Sequence, residues 1–187
     1  YSIHWNENES MKRSELEHLI RASGAIVDDN ELIIIGSQSI LGQFPEAPVA
    51  LRASMEADIF PKNKPELSEL VDGSIGEGSF FHEQFGYYAQ GVGPETAVLP
   101  GGWRQRFIVV ENENTKGVRG LCLEVHDLAI SKYIAGRPKD LDFNRELVRH
   151  NMVEQKTLHR RLSKTRTAEA IKTLAKSRIE NDFKTKR

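Results

Sequence analysis

Two acids stand two residues apart in an apolar run, Met55-Glu56-Ala57-Asp58-Ile59-Phe60. In an extended strand alternate side chains share a face, so Glu56 and Asp58 project together. Neighbouring carboxylates repel, and burial makes their charged forms costlier still. A divalent cation relieves both effects. Mg²⁺ is commonly held by one or two carboxylates together with substrate phosphates. A pair of such ions can align an attacking oxygen and stabilise a leaving pyrophosphate. A second feature lies upstream, where the β-branched run at 31–35 ends in Gly36-Ser37. Glycine lets a phosphate approach the backbone, and the serine hydroxyl with the following amides can hold its oxygens. A third feature lies downstream: Asp127-Leu-Ala-Ile-Ser-Lys132, then Arg137-Pro-Lys139-Asp140-Leu-Asp142. Lys132, Arg137 and Lys139 gather positive charge at a helix junction, which suits a triphosphate whose charge grows during transfer. Each feature has a plainer reading. They are an ordinary turn, an edge strand with solvated acids, and surface ion pairs worth about 0–1 kcal/mol each.

The elements that must position these residues follow from periodicity and punctuation. Ser14-Glu15-Leu16-Glu17 opens a helix with Leu16, Leu19 and Ile20 at helical spacing, and Gly24 ends it. Residues 31–35 read as a buried strand, 38–42 as a short helix, and Pro45 and Pro48 as a loop. The acids sit on a strand at 55–60 that Pro61 ends. A helix at 66–75, a glycine loop, and strand-like segments at 85–92, 106–110 and 118–125 follow. Residues 126–135 and 138–150 read as helices, Pro138 suiting a first turn. Residues 154–183 read as one or two amphipathic helices with a stripe of Leu158, Leu162, Ile171, Leu174, Ala175 and Ile179. The expected fold is α/β (α+β): a mixed sheet flanked by helices, plus a helical C-terminal part. The expected domains are a core at 11–125 and the helical part at 126–187. Residues 1–10 are set aside as a leader, because Met11-Lys12-Arg13 reads as a natural start.

Composition narrows the function class. The 187 residues carry a formal net charge of −1, which by itself points to neither nucleic acid nor membrane. The average hides an asymmetry: residues 145–187 hold 13 Lys or Arg against 5 Asp or Glu, so the remainder is at −9. A basic tail behind an acidic body suits contact with phosphate at one end, an RNA-contacting surface, or equally a partner-docking or dimerisation arm. The single cysteine, Cys122, lies in an apolar run and is expected in the core of a cytoplasmic protein. No apolar stretch approaches the about 20 residues of a membrane helix, and residues 1–10 lack the apolar centre of a signal peptide.

Taken together, the Gly36-Ser37 bend, Arg52-Ala-Ser54-Met-Glu56-Ala-Asp58 and the Asp127–Asp142 run resemble the polymerase-β-like nucleotidyltransferase superfamily. Within it the sequence looks most like the AbiEii-type toxin nucleotidyltransferases of bacterial toxin–antitoxin systems. The resemblance spans residues 31–149. It implies Mg²⁺-dependent transfer of a nucleoside monophosphate from an NTP to a hydroxyl, on RNA such as a tRNA end or on a protein. It also implies a possible cognate toxin or antitoxin. Gly36 and Ser37 would hold the triphosphate, and Glu56 and Asp58 the metal. Asp58 would also help deprotonate the acceptor. Lys132, Arg137 and Lys139 would neutralise phosphate, while Asp140 orients them or contacts the base.

The sequence departs from the family pattern in three ways. Glu56 stands where aspartate is usual, the gap from Ser37 to Glu56 is long, and the expected third acid is missing. Gln90 occupies the place where that acid is sought; Glu124 is the best replacement and Glu95 the second. These departures support an alternative, a catalytically degenerate member of the fold acting as an interaction partner or antitoxin. His82 and His126 read as hydrogen-bonding or capping residues rather than metal ligands. Trp103 is expected in the core, with base stacking as the alternative. Of Tyr87 and Tyr88, one is expected to pack and the other to face solvent or the cleft.

Overall fold

The computed structural model describes residues 6–186; residues 1–5 of the leader expected at 1–10 lie outside the described residues. The chain divides into two compact units. One comprises the chain through Thr96 together with Phe107–Leu123; the other comprises Ala97–Arg106 and the chain from Glu124 onward. The segment 97–106 falls in the helical unit.

The first unit is built on a five-stranded mixed sheet of order β3-β2-β1-β5-β4. Its strands are β1 (Glu31–Ile35), β2 (Glu56–Pro61), β3 (Tyr88–Gly91), β4 (Ile108–Val110) and β5 (Arg119–Cys122). β1 runs antiparallel to β2 and parallel to β5; β2 and β3 are parallel, and β4 and β5 antiparallel. Central β1 is buried from Leu32 to Ile35, as an unbroken apolar run requires. Helix α1 (Arg13–Val27) packs Ile20 against Ile34 and Gly120. Register then puts Ile34 and Ile59 on the α1 face, and Ile35 with Asp58 on the other.

Several element boundaries differ from the sequence expectation, each for a local reason. Helix α1 is capped at Lys12, whose amide donates to Glu15 Oε1 (2.7 Å), and it runs through Gly24. A Cβ at Gly24 would stand 2.7 Å from Val118, so that glycine is there for close packing and not as a stop. Asp28 in the left-handed region (φ 51°) ends the helix instead. Helix α2 is a single turn (Ile40–Gln43). Helix α3 (Ser68–Ile75) begins two residues later than expected, after a 3₁₀ turn. The expected strand at 85–92 begins inside helix α4 (Phe80–Phe85), which Gly86 (φ 79°) terminates. The expected strand at 118–125 stops at Cys122, because Glu124 caps the next helix. Cys122 is wholly buried, and burial pushes its thiol up to about 12.

The second unit is helical: α5 (Val125–Ala135), α6 (Pro138–Arg149), α7 (Gln155–Ser163) and α8 (Glu169–Lys184). Helix α5 is its centre, with Leu128, Ala129, Ile130 and Tyr133 fully buried. The expected stripe is only partly buried. Leu158, Leu162, Ala175 and Ile179 are inside, whereas Ile171 and Leu174 are exposed. Trp103 is half-buried in a 3₁₀ turn with Arg104 over its ring, so the core placement expected for it does not hold. No helix among the described residues is long and apolar enough to cross a membrane.

At the end of β3, a Cβ on Gly91 would run into the Ser68 carbonyl at the start of α3. Gly91→Ala is therefore expected to lower stability by about 1–3 kcal/mol, read as a shift in the urea midpoint.

Candidate functional site

Glu56 and Asp58 lie on one face of β2, as alternation demands, and both are half-buried. The register sets Tyr88 beside Glu56 and Gln90 beside Asp58 on β3, and Ile35 beside Asp58 on β1. Because Ile35 immediately precedes the Gly36 bend, pairing across β1 and β2 carries Asp58 to that bend. The approach is close: a Cβ on Gly36 would sit 2.5 Å from Asp58 Oδ2. Gly36 also has φ 73° and ψ −173°, a region essentially reserved for glycine. The backbone conformation favours glycine here, and a side chain would also displace the Asp58 carboxylate.

The bend is braced by Gln38 and Ser39, to which the sequence reading gave no role, and by Arg52 and Ser54 of the quoted motif. The Ser39 amide and hydroxyl both donate to the Gly36 carbonyl, at 3.2 and 2.5 Å. Gln38 is fully buried, and its amide nitrogen donates to the Ser54 carbonyl at 2.5 Å, tying the bend to the entry of β2. Ser54 Oγ accepts from the Glu56 amide (3.1 Å). Arg52 donates to the carbonyls of Ala47 and Met11, holding the long loop that precedes the strand. Polar residues in a short turn signal only that hydrogen bonds will form; their partners come from distant chain.

The carboxylates are served by neutral donors. The Tyr88 hydroxyl donates to Glu56 Oε2 (2.9 Å). Burial first, then the bond to Glu56 and the charges of Glu56, Glu77 and Asp58, push that hydroxyl up to about 12, so it keeps its proton at neutral pH. With the Gln90 amide assigned to the orientation its neighbours can satisfy, its NH₂ donates to both acids, 2.7 Å from Glu56 Oε1 and 3.2 Å from Asp58 Oδ1. Tyr87 turns the other way and bonds to His18 Nδ1 (2.7 Å) within a cluster that includes Phe81 and Phe85. His82 Nδ1 accepts from the Gly78 amide (3.0 Å).

No group of three or more His, Cys, Asp or Glu side chains among the described residues is arranged to hold a metal ion. The remaining donor set is two carboxylates, which suits a hard cation that takes its other ligands from phosphate and water. Glu124 does not complete the set. Its Oε1 accepts from His126 Nδ1 (2.6 Å), and its Oε2 accepts from Arg161 (2.7 Å) and from the first amides of α5. A carboxylate in this setting is a helix cap and ion-pair partner. Glu95 is exposed on a 3₁₀ turn, its carboxylate folded back over Gly93.

In the helical unit two of the three expected phosphate-binding cations, Lys132 and Arg137, are tied to Asp140. Lys132 is buried, with Nζ 3.4 Å from Asp140 Oδ1 and 4.5 Å from the Phe143 ring centroid. Burial lowers its pKa against the opposing pull of Asp140. Asp140 has no exposed surface and accepts from Arg137 Nε (2.7 Å) while capping α6. It therefore orients cations, and the base contact expected as its other role has no free face to use. Burial alone would raise the Asp140 carboxyl, but the Arg137 hydrogen bond and the Lys132 charge hold it below the usual range. Arg137 and Lys139 are exposed. Asp127, equally inaccessible, is gripped by Arg106 (2.8 and 2.9 Å) and Arg161 (2.8 Å) rather than by Lys132.

A five-stranded mixed sheet flanked by helices is consistent with a nucleotidyltransferase-like fold. The chain belongs to the family described as "Nucleotidyltransferase of unknown function (DUF6036)", whose model matches residues 14–187. Neither the curated proteins nor the solved structures yield a match to it.

Two outcomes follow from this geometry. Gly36→Ala should cost about 1–3 kcal/mol of stability in thermal or urea unfolding, through strain and crowding of Asp58. Glu124 concerns pH. Burial would raise its carboxyl, but the His126 and Arg161 contacts outweigh that and depress it from 4.5 to about 2. A depressed folded-state value gives stability that is complete above about pH 4.5 and is lost as pH falls toward 2. Glu124→Gln is expected to lower the urea midpoint at pH 7 and to flatten the decline between those limits.

Proposed function

We propose that the protein transfers a nucleoside monophosphate from an NTP to a hydroxyl acceptor, with Glu56 and Asp58 holding Mg²⁺ beside the Gly36–Ser37 bend. The observation that carries this reading is the approach of Asp58 to Gly36, which brings one carboxylate of the pair against the bend whose following amides and Ser37 hydroxyl would meet a phosphate. Bound there, the cation would offset phosphate charge and hold the triphosphate in line. Ser37 offers a hydroxyl to phosphate oxygens, and Asp58 takes the proton of the attacking hydroxyl. Glu56, held by Tyr88, keeps its other oxygen directed at the shared position. On the helical unit, Arg137 and Lys139 are the exposed cations proposed to meet phosphate, and Lys132 acts through Asp140. The acceptor follows from the AbiEii-type resemblance: an RNA end, with tRNA first and a protein side chain second. A cognate toxin or antitoxin partner is proposed on the same ground.

One observation favours a second reading. Gln90 stands where a third acid would complete the set, and its neutral NH₂ bridges the two that remain. A protein that kept the fold as an interaction partner, without transfer, would look the same. The two readings separate in a melting experiment. Catalytic binding predicts an NTP-induced rise in Tm that requires Mg²⁺ and disappears in Asp58→Ala; saturation at a hundredfold over Kd stabilises by about 2.7 kcal/mol. Label from the α-phosphate should then appear on total tRNA or on the protein. A Tm indifferent to NTP and Mg²⁺, with no label on any acceptor, supports the interaction partner and sinks the enzyme.

A further inference from the structure

The Gln90 side chain occupies one point that both catalytic acids share. A primary amide is planar, with NH₂ and carbonyl oxygen related by a half-turn about its last torsion. With NH₂ at that point, Gln90 donates to Glu56 Oε1 (2.7 Å) and Asp58 Oδ1 (3.2 Å). After the half-turn the same point holds the carbonyl oxygen, and three hard oxygens from β2 and β3 face one another. Neighbouring ligand oxygens on an octahedral Mg²⁺, each about 2.0–2.1 Å from the ion, stand about 2.9 Å apart. The two separations at Gln90 straddle that value.

We infer that Gln90 is the third protein ligand of the cation, through its amide oxygen, and that it is the amide hydrogen-bond donor to Glu56 and Asp58 when the cation is absent. This inference rests on the carboxylate-pair reading and adds a residue to it. Gln90 suits both tasks because its side chain is polar at both ends and exposed, so it can turn without moving β3. Neither Asp nor Leu can do both: an aspartate would add repulsion without a cation, and a leucine would offer nothing to either state. A neutral third ligand also leaves the protein contributing two negative charges to the site.

The test uses the full chain with Mn²⁺ alone, read by the free-ion electron paramagnetic resonance signal, beside ¹⁵N spectra of side-chain amides titrated with Mg²⁺. The wild type is expected to bind Mn²⁺, and the Gln90 NH₂ pair to shift as Mg²⁺ enters. Gln90→Leu should weaken Mn²⁺ about tenfold or more and lower the metal-free Tm. Gln90→Asp should bind Mn²⁺ at least as well as wild type while also melting lower without metal. Gln90→Leu that binds Mn²⁺ unchanged or more tightly, with Asp58→Asn abolishing binding, overturns the Gln90 assignment alone. It would make the amide a donor that the ion displaces. Absence of Mn²⁺ binding by the wild type, or binding indifferent to Asp58→Asn, instead overturns the carboxylate-pair reading beneath it.

Discussion

Two carboxylates on neighbouring positions of one strand face must be reconciled before anything else in the first unit can stand. Oxygens that share one nitrogen at 2.7 and 3.2 Å lie within about 6 Å of each other. At an effective dielectric near 20 their repulsion there is about 3 kcal/mol. Solvent reaching these half-buried groups reduces it. Hydrogen bonds to charged groups contribute about 1.5–3 kcal/mol each, and the pair receives them from Tyr88 and Gln90. These neutral donors offset part of that repulsion.

Everything around the pair serves that arrangement. Register between β1 and β2 brings Asp58 to the glycine bend, and the absence of a side chain at Gly36 leaves room for its carboxylate. Gln38 and Ser39 lock the bend, and Arg52 holds the loop that makes the unusually long connection to β2 possible. Gly91 lets β3 lie close under α3, which fixes where Gln90 emerges.

The helical unit resolves its buried charges in the opposite manner, with cations. Asp127 and Asp140 have no exposed surface, and each is held by two basic side chains. Removing one partner from such a cluster leaves a charge stranded, at a cost of about 3–5 kcal/mol. Residues that the sequence presents as a phosphate-binding run thus do structural work first. Lys132 fastens α5 to α6 through Asp140, and of the three cations in that run Arg137 and Lys139 remain exposed.

The linear pattern was enough to place Glu56 and Asp58 on one strand face, the glycine bend after β1, the mixed α/β architecture and the helical C-terminal part. Those properties depend on alternation, helical spacing and turn residues within a few positions of one another. It also marked Gln90 as the residue standing where an acid was sought. Which side chains meet was another matter. That Gln90 lies opposite Asp58, that Tyr88 bonds to Glu56, that Arg161 takes Glu124 and that Asp127 pairs with Arg106 and Arg161 all depend on strand register and helix packing. Such contacts join residues 20 to 40 positions apart. Side chains there are chosen by whichever partners satisfy a buried charge, and only the folded chain decides which of those come within reach.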